Sequence, residues 1–370
     1  MSHVPVPATL ADVTASWLTA ALRRSGALRK GAAQSVTVTP IGAGVGFMSE
    51  VARLDVRWSL DVSPPLPERF VVKVATRSEA NRRMAMDYGL YAREVRFYRE
   101  LAPVPGLVTP HTFLAELDEA GGEVVILMED LSARDVTDPS GAFDDEQLFA
   151  IIADLAVFHA AWWGDVATRP VPAWVPRLDG PVWSSHQQMF GAAWSAFRTQ
   201  GGLSQPPPFL AFGEVIVPAI PALQRRLGRD PVTLVHFDLR RSNLFVVDAG
   251  GPHLAAVDWQ PLTVARGAYD VAYFLTQSVA TERRRALERD LLAHYLRSLA
   301  DHGIDGYGEA QLWEDYRLGA AYTTSYAVGT VLVDLGNDTG RAYAETVLAR
   351  AAAAVDDLAL ADVIAPYAGA

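Results

Sequence analysis

The stretch that decides the fold is residues 232–270, VTLVHFDLRRSNLFVVDAGGPHLAAVDWQPLTVARGAYD. It contains short apolar runs bounded by Asp, Gly and Pro, a pattern that predicts strands. These runs span residues 232–235, 244–247 and 254–257. The polar loop HFDLRRSN separates the first two runs and carries Asp238 and Asn243, and Asp258 follows the third. One loop and one strand end therefore present a set of oxygen-bearing side chains.

These three polar side chains suit phosphoryl transfer. Moving a γ-phosphoryl group requires a carboxylate that takes the proton of the acceptor hydroxyl, and oxygen ligands that hold Mg²⁺ against the phosphates. Asn243 follows Asp238 by five positions, and Asp258 follows Asn243 by fifteen. We therefore expect Asp238 to be the carboxylate, with Asn243 and Asp258 as metal ligands.

Composition and charge limit the class of protein. The 370 residues are 50% hydrophobic, which is ample for a large core. The 43 acidic residues exceed the 32 basic ones, and a net charge of −11 argues against general binding to nucleic acid or to an anionic membrane. Cysteine is absent, and residues 1–7 lack the basic and apolar parts of a signal peptide. We expect a soluble cytoplasmic protein, a monomer or a homodimer, with no nucleic-acid or membrane partner.

The N-terminal part combines helices with β-rich runs. A helix is predicted over residues 9–25, with Thr9 as its N-cap, and a second over residues 81–101. Alternating runs at 35–41 and 51–58 flank IGAGVGFMSE, whose glycines would let backbone N–H groups approach phosphates; a plain hairpin has the same composition.

Lys73 stands out within the apolar strand RFVVKVA, residues 69–75. A lysine inside a buried strand requires an anionic partner. That partner is either the phosphate groups of a nucleotide or a carboxylate such as Glu94, 21 residues further on. The alternative is an edge strand that leaves the ammonium group in water.

A change of composition marks a boundary after the hairpin predicted at residues 112–128. The segment MEDLSARDVTDPSG is acidic and turn-forming, so we place a hinge at residues 129–132 between an N-terminal part, 1–128, and a C-terminal part, 133–370. An amphipathic helix is predicted over residues 145–163, where His159 is interpreted as a core histidine. Further helices are predicted at 269–280, 282–302, 309–335 and 341–358.

The order of these features resembles the protein-kinase-like fold. More narrowly, the chain is similar to the aminoglycoside phosphotransferase and choline kinase superfamily, and within it to the ecdysteroid-kinase-like group. The segments that carry the resemblance are GVGFMSEV, FVVKVA, REVRFYREL, ILMEDL, HFDLRRSN, VDWQ and YDVAYFL. The resemblance implies an α+β fold of two lobes, a small N-lobe with an antiparallel sheet and one key helix, and a larger, mostly helical C-lobe. It also implies ATP- and Mg²⁺-dependent phosphorylation of a small-molecule hydroxyl.

The resemblance also assigns roles to residues. Asp238 becomes the base or orienter of the acceptor hydroxyl, Asn243 and Asp258 the Mg²⁺ ligands, and Arg240 a contact of the γ-phosphate. Lys73, paired with Glu94, becomes the ligand of the α- and β-phosphates. The other nucleotide contacts are assigned to the glycine-rich turn and the hinge: Gly44, Gly46, Ser49, Glu129 and Leu131. His236 and Asp270 become structural residues.

Departures from the family pattern are visible in the same loop. Phe237 stands where many relatives have glycine, and Trp259-Gln260 stands where a protein kinase has Phe-Gly. The eleven residues between Asp258 and Asp270 are too few for a long activation segment, which disfavours a protein substrate.

The sequence is compatible with two classes of acceptor. The acidic residues Glu314, Asp315 and Asp334 would suit a cationic aminoglycoside, whereas the tryptophans of residues 162–194 suit a less polar alcohol, such as a steroid, a polyketide or a hydroxyacyl thioester, or simply fill the core. The sequence favours the less polar alcohol. The alternatives to such a kinase are an inactive nucleotide-binding module and an antibiotic-resistance kinase acting on aminoglycosides or macrolides.

Overall fold

The first of two compact units carries the antiparallel sheet. The computed structural model describes residues 4–42, 48–138, 141–164, 171–199, 206–329 and 338–369, with backbone only for 338–340. Residues 1–103 and 109–134 form the first unit, and residues 104–108 and 135–370 form the second. The elements of the first unit are α1 (Ala15–Arg24), β1 (Ala33–Ile41), β2 (Ser49–Trp58), β3 (Arg69–Ala75), α2 (Glu79–Asp87), α3 (Leu90–Arg96), β4 (Thr112–Asp118) and β5 (Glu123–Glu129).

The five strands pair in the order β1-β2-β3-β5-β4, and every pair is antiparallel. One face of the sheet is apolar and packs against α1, because Leu54, Phe70 and Val72 alternate with outward residues along their strands and are fully buried together with Leu18 of α1. The arrangement makes β3 an inner strand, with β2 on one side and β5 on the other.

Two helix predictions in this unit need correction. The N-terminal helix begins at Ala15, where the Thr14 hydroxyl accepts the N–H of Trp17 at 3.2 Å. Thr9 instead starts a single 3₁₀ turn, because its N–H and hydroxyl both bond to the carboxylate of Asp12. The predicted helix at 81–101 is broken at Gly89, which adopts the left-handed conformation, φ +64°, and separates α2 from α3.

The second unit is mostly helical. Its elements are α4 (Asp145–Ala161), α5 (His186–Thr199), α6 (Pro207–Leu227), β6 (Thr233–Val235), β7 (Leu244–Asp248), β8 (Pro252–Ala256), β9 (Thr263–Ala265), α7 (Ala268–Tyr273), α8 (Thr281–Asp301), α9 (Glu309–Gly329), α10 (Asp338–Asp357) and α11 (Leu360–Ile364). A π-helical turn, Phe274–Ser278, continues α7. The short strands form two antiparallel pairs, β6 with β9 and β7 with β8.

The sequence interpretation missed α5 and α6. Proline at residues 207, 208, 218 and 221 argues against a helix, yet the first two stand in the first turn, where a missing N–H costs nothing, and packing holds the rest. By length and composition alone, α6 is the one described helix that could cross a membrane. Half of its most apolar stretch is buried inside the protein, and a core helix meets the same criterion.

Candidate active site

The predicted loop between β6 and β7 is held by a buried carboxylate of α7. Asp270, fully buried, accepts the backbone N–H of His236 at 2.7 Å and that of Phe237 at 2.9 Å. The His236 ring bonds through Nε2 to the carbonyl oxygen of Val257 at 3.1 Å, and burial keeps the pKa of this histidine below its usual value in spite of Asp270. His236 and Asp270 therefore have structural roles, as expected. His159, also fully buried, lies against Asp270 at 3.4 Å and is a core histidine.

The packing around residue 237 explains why phenylalanine can stand where many relatives have glycine. The φ of Phe237, +75°, is left-handed, a conformation that a bulky side chain adopts at a cost of about 1–2 kcal/mol. The ring stacks on Tyr269 at 4.3 Å between centroids and packs on Trp183 at 4.9 Å. Burial of so large a ring contributes more than the strain costs.

The Asp238 carboxylate receives donors at both oxygens. The hydroxyl group of Tyr273 donates to Oδ1 at 2.7 Å, and Asn243 Nδ2 donates to Oδ2 at 3.0 Å. Arg240 Nε lies 3.3 Å from Oδ2. The side chain of Asp238 stays 23% exposed, so its orientation is set while its surface remains reachable by a substrate.

The two expected metal ligands are positioned by the same loop. Asn243 is buried and donates through Nδ2 to both the carbonyl oxygen and the carboxylate of Asp238, while its side-chain oxygen accepts from Arg240 Nε at 3.4 Å and from the Ser242 hydroxyl at 3.5 Å. The N–H of Val257 bonds to the carbonyl oxygen of Asn243 at 3.0 Å, which ties the segment leading to Asp258 to the loop. Asp258 has φ +68°, a strained conformation of the kind found at functional sites.

One amide oxygen and one carboxylate fit Mg²⁺, a hard cation that takes oxygen ligands and often only one or two from the protein. Within the described ranges, no group of three His, Asp or Glu side chains is arranged to hold a metal. Asn243 and Asp258 would therefore share the ion with phosphate oxygens and water.

Arg240 lies between the two aspartates. Its Nη2 is 3.7 Å from the Asp258 carboxylate. Burial disfavours its charge, but Asp238 and Asp258 outweigh this effect and raise the pKa of the guanidinium group. A permanently charged group beside Asp238 fits the γ-phosphate contact that the resemblance implies. The next residue, Arg241, instead donates to the carbonyl oxygens of Gly141 and Leu244.

In the first unit, Lys73 and Glu94 form a buried pair. Lys73 Nζ lies 2.9 Å from Oε1 and 2.8 Å from Oε2 of Glu94, and both residues are at most 5% exposed. Because β3 is an inner strand, the alternative of an edge-strand lysine in water is wrong. The anionic partner that a buried lysine requires is Glu94 on α3.

The other expected nucleotide contacts are also in the first unit. Ser49 begins β2 and is buried, and Leu131 is buried in the turn after β5. Glu129 ends β5, where its carboxylate accepts the N–H of His111 at 3.2 Å. Gly44 and Gly46 lie outside the described residues.

The family of this chain follows from a match to a family model. Residues 57–313, more than half of the chain, match the model of a family described as the phosphotransferase enzyme family. The chain belongs to this phosphotransferase enzyme family. The prediction of an enzyme of the small-molecule phosphotransferase type is thereby confirmed.

Solved structures share the fold of this phosphotransferase. A candidate aminoglycoside phosphotransferase from Ralstonia eutropha is 14% identical with a TM-score of 0.55, and the match covers 93% of this chain and 97% of that one. Choline kinase from Cryptosporidium parvum is 9% identical with a TM-score of 0.53, over 89% and 91% of the two chains. A mutant of an aminoglycoside 2'-phosphotransferase IIIa in its GDP complex is 14% identical with a TM-score of 0.51, over 89% and 92%.

The α+β kinase-like fold and the superfamily are thus confirmed, and closeness to the ecdysteroid-kinase-like group stays a prediction. A comparison with curated protein sequences gives no match.

One residue considered for a cationic acceptor is not available to a substrate. Asp315, which the sequence offered as suited to an aminoglycoside, is fully buried, bonds to Arg266 at 2.5 Å and forms an ion pair with Arg226 at 3.1 Å. Glu314 also pairs with Arg226, at 3.3 Å, and Asp334 lies outside the described residues. Two of the tryptophans proposed as core or pocket residues, Trp183 and Trp194, are 5% exposed and fill the core.

Sequence reasoning missed two tyrosines of the site. Tyr273 lies three residues after Asp270 on the same face of α7, a spacing that could have indicated it. Burial and Asp238 raise the pKa of its hydroxyl well above the usual value, so the group donates at all ordinary pH values. Tyr343 on α10 lies near Arg240, which opposes the rise that burial causes in the pKa of its hydroxyl, and its sequence context carries no signal of this proximity.

Proposed function

We propose that this phosphotransferase transfers the γ-phosphoryl group of ATP, with Mg²⁺, to a hydroxyl group of a small molecule. The observation that carries the proposal is the loop around Asp238, where a reachable carboxylate, an amide oxygen and a second carboxylate are held together by hydrogen bonds. Asp238 receives hydrogen bonds from both Tyr273 and Asn243.

Asp238 orients the acceptor hydroxyl and takes its proton. The bond that forms joins the acceptor oxygen to the γ-phosphorus, and the bond that breaks joins that phosphorus to the bridging oxygen, which leaves with ADP. Arg240 stabilises the charge on the transferred group. Mg²⁺, held by Asn243 and Asp258, neutralises phosphate charge when it is bound.

Lys73 acts on the same nucleotide by contacting its α- and β-phosphates, with Glu94 fixing the ammonium group. Ser49, Gly44 and Gly46 supply further contacts to the phosphates, and the backbone of residues 129–131 meets the adenine. A small acceptor is favoured because eleven residues separate Asp258 from Asp270, a segment that contains the short strand β9 rather than a long activation segment. We also propose that the protein acts in the cytoplasm, and its acidic net charge disfavours nucleic acid and anionic membranes as partners.

The first test is substitution of the proposed base. We expect Asp238→Ala to lower ADP release with alcohol acceptors by about 10² to 10⁴-fold, as is usual for loss of a general base, while binding of Mg·ATP persists. A coupled ADP-release screen over mixed alcohols measures it, with the exposed Asp362→Ala as the matched control. Unchanged phosphorylation by Asp238→Ala would remove Asp238 from the mechanism.

Two outcomes would point to other functions. Binding of Mg·ATP without ADP production over a broad alcohol panel would indicate a nucleotide-binding module. Increased tolerance of a sensitive host to aminoglycosides or macrolides on expression would indicate a resistance kinase, and the buried, paired Asp315 argues against the aminoglycoside case.

A further inference from the structure

A buried amide near the proposed site has no hydrogen-bond partner among the described residues. Gln277, 5% exposed, lies in the π-helical turn that continues α7. Neither the oxygen nor the nitrogen of its side-chain amide is hydrogen-bonded. It follows Tyr273 by four positions, so the two side chains share one face of the helix, and Tyr273 donates to Asp238. A buried amide left unsatisfied is costly, and a ligand that bonds to it would remove this cost.

Arg350 on α10 lies beside this amide. Its Nη1 donates to the carbonyl oxygen of Gln277 at 2.7 Å. No carboxylate within the described ranges pairs with Arg350, and burial lowers the pKa of its guanidinium group. Capping a helix carbonyl uses one of the five N–H donors of an arginine, so most of the donors remain for another acceptor.

Tyr343 connects this pair to the catalytic loop. It precedes Arg350 by seven residues, two helical turns, and therefore lies on the same face of α10. Arg240 and Arg350 oppose the rise that burial and Asp238 cause in the pKa of the Tyr343 hydroxyl group, which places this hydroxyl near the catalytic loop. All of these residues belong to the second unit. Gln277 thus shares one helix face with Tyr273, Arg350 shares another with Tyr343, and the bond from Arg350 to Gln277 joins the two helices.

We propose that Arg350 and Gln277 bind an anionic group, a carboxylate or a phosphate, on the acceptor whose hydroxyl reaches Asp238. The inference deepens the proposed function and rests on it. Arginine donors and the amide N–H₂ group of glutamine match the oxygens of such a group, and charge-assisted bonds are the stronger kind. In a chain of net charge −11, an anionic substrate needs such a local cation.

Arg350 lies outside the part of the chain that matches the family, whereas Gln277 lies within it. The family match ends at residue 313, whereas Tyr343 and Arg350 are on α10. Arg350 therefore contributes to the choice of acceptor, while residues within the match perform the transfer. The acceptor is a hydroxy acid or a phosphorylated alcohol rather than a polycation or a neutral steroid.

The test uses matched acceptors on the full chain. Straight-chain terminal hydroxy acids, their methyl esters and the monophosphates of the corresponding diols are compared by ADP release, and their binding without ATP is measured by calorimetry. We expect the acids or the monophosphates to have at least about tenfold lower KM than the esters, the loss of one charge-assisted bond being worth about 10- to 100-fold. A lower KM for the acids indicates that the site binds a carboxylate, and a lower KM for the monophosphates indicates that it binds a phosphate.

Variants of Arg350 test whether this residue causes the preference for anionic acceptors. Arg350→Gln should raise KM for the anionic acceptors by about 10- to 100-fold, leaving KM for ATP unchanged, and Arg350→Lys should recover part of the loss. Arg297→Gln removes the same charge from the exposed side of α8 and should change nothing. Because the acid-to-ester comparison uses the unmodified protein, it stays decisive even when a variant does not fold.

Different results would contradict the anion site and the proposed phosphoryl transfer. Esters that bind and react as well as the acids and monophosphates, or an Arg350→Gln variant with unchanged KM for them, overturn the anion site while transfer stands. Binding of an anion that Arg350→Gln abolishes, with no ADP release from any acceptor, supports the anion site and overturns the transfer.

Discussion

Three side chains hold the Asp238 carboxylate, and one of them, Tyr273, can be removed with little change of volume. Asn243 is itself an expected metal ligand and Arg240 an expected phosphate contact, so substitution of either alters two functions together. The Tyr273 hydroxyl donates to the carboxylate of Asp238 and stays protonated. At the scale of single residues, Tyr273 is therefore a positioning residue.

We expect Tyr273→Phe to lower kcat by about 5- to 30-fold, the equivalent of one hydrogen bond of roughly 1–2 kcal/mol, with KM for ATP unchanged. Steady-state kinetics with varied ATP and acceptor measures this split. Tyr295→Phe is the matched control, since it removes a buried hydroxyl that bonds to His159 instead. Equal losses of kcat in both variants would show a general structural effect.

At the scale of elements, a buried charge cluster joins α9 to the ends of α6 and β9. Asp315 of α9 is fully buried and bonds to Arg266, which is 5% exposed, and to Tyr307 at 2.9 Å. Burial raises the pKa of the Asp315 carboxyl group, against the opposing effect of Arg266 and Arg226. The Asp315 carboxylate therefore stabilises the fold.

Asp315→Ala should lower the free energy of unfolding by about 3–5 kcal/mol, because it leaves the guanidinium group of Arg266 buried without its counter-charge. Urea unfolding measures the change. Glu314→Ala, next in sequence and half exposed, should change stability by no more than about 0.5 kcal/mol. A loss of acceptor binding by a fully stable Asp315→Ala protein would contradict this assignment.

The packing of α5 on α9 depends on a neutral histidine. His186 of α5 bonds through Nε2 to the Ser325 hydroxyl at 2.9 Å and stacks on Tyr322 at 5.0 Å. Burial lowers its pKa to about 4 from an unfolded value of 6.5. Between these values the unfolded state binds a proton that the folded state does not, so stability falls as pH falls from 6.5 to 4.

The size of this effect is on the order of 3 kcal/mol across that window. Urea unfolding at a series of pH values, for the unmodified protein and for His186→Gln, measures it as the difference between the two. The variant should lose the pH dependence that belongs to His186. Identical pH profiles for both proteins would show that His186 keeps an ordinary pKa.

At the scale of the whole molecule, a ligand that binds only the folded protein raises its stability. Mg·ATP at about 100 times its Kd should add about 2.7 kcal/mol and raise Tm by several degrees.

EDTA should remove most of this rise, and so should Asp258→Ala, because Asp258 is an expected metal ligand. Differential scanning fluorimetry measures these shifts, with AMP as the control nucleotide that lacks the β- and γ-phosphates. A full rise in the presence of EDTA would contradict the Mg²⁺ dependence.

The sequence by itself determined the order of the chemical groups. Lys73 in an apolar strand, Glu94 on a helix after it, and Asp238, Asn243 and Asp258 around short strands could be predicted because strand and loop patterns depend on neighbouring residues. The same local patterns did not predict α5 and α6, where the prolines indicated loops. They also placed the start of α1 at Thr9, whereas its N-cap is Thr14.

Only the tertiary structure decided which groups meet. Tyr273 reaches Asp238 across 35 positions, and Arg350 reaches Gln277 across 73. Whether a carboxylate such as that of Asp315 faces substrate or a buried arginine also depends on packing, since burial and charge pairing arise between helices distant in sequence. The transfer chemistry was therefore predictable from local pattern, while the inferred preference for an anionic acceptor depends on contacts that exist only once α10 packs beside the end of α7.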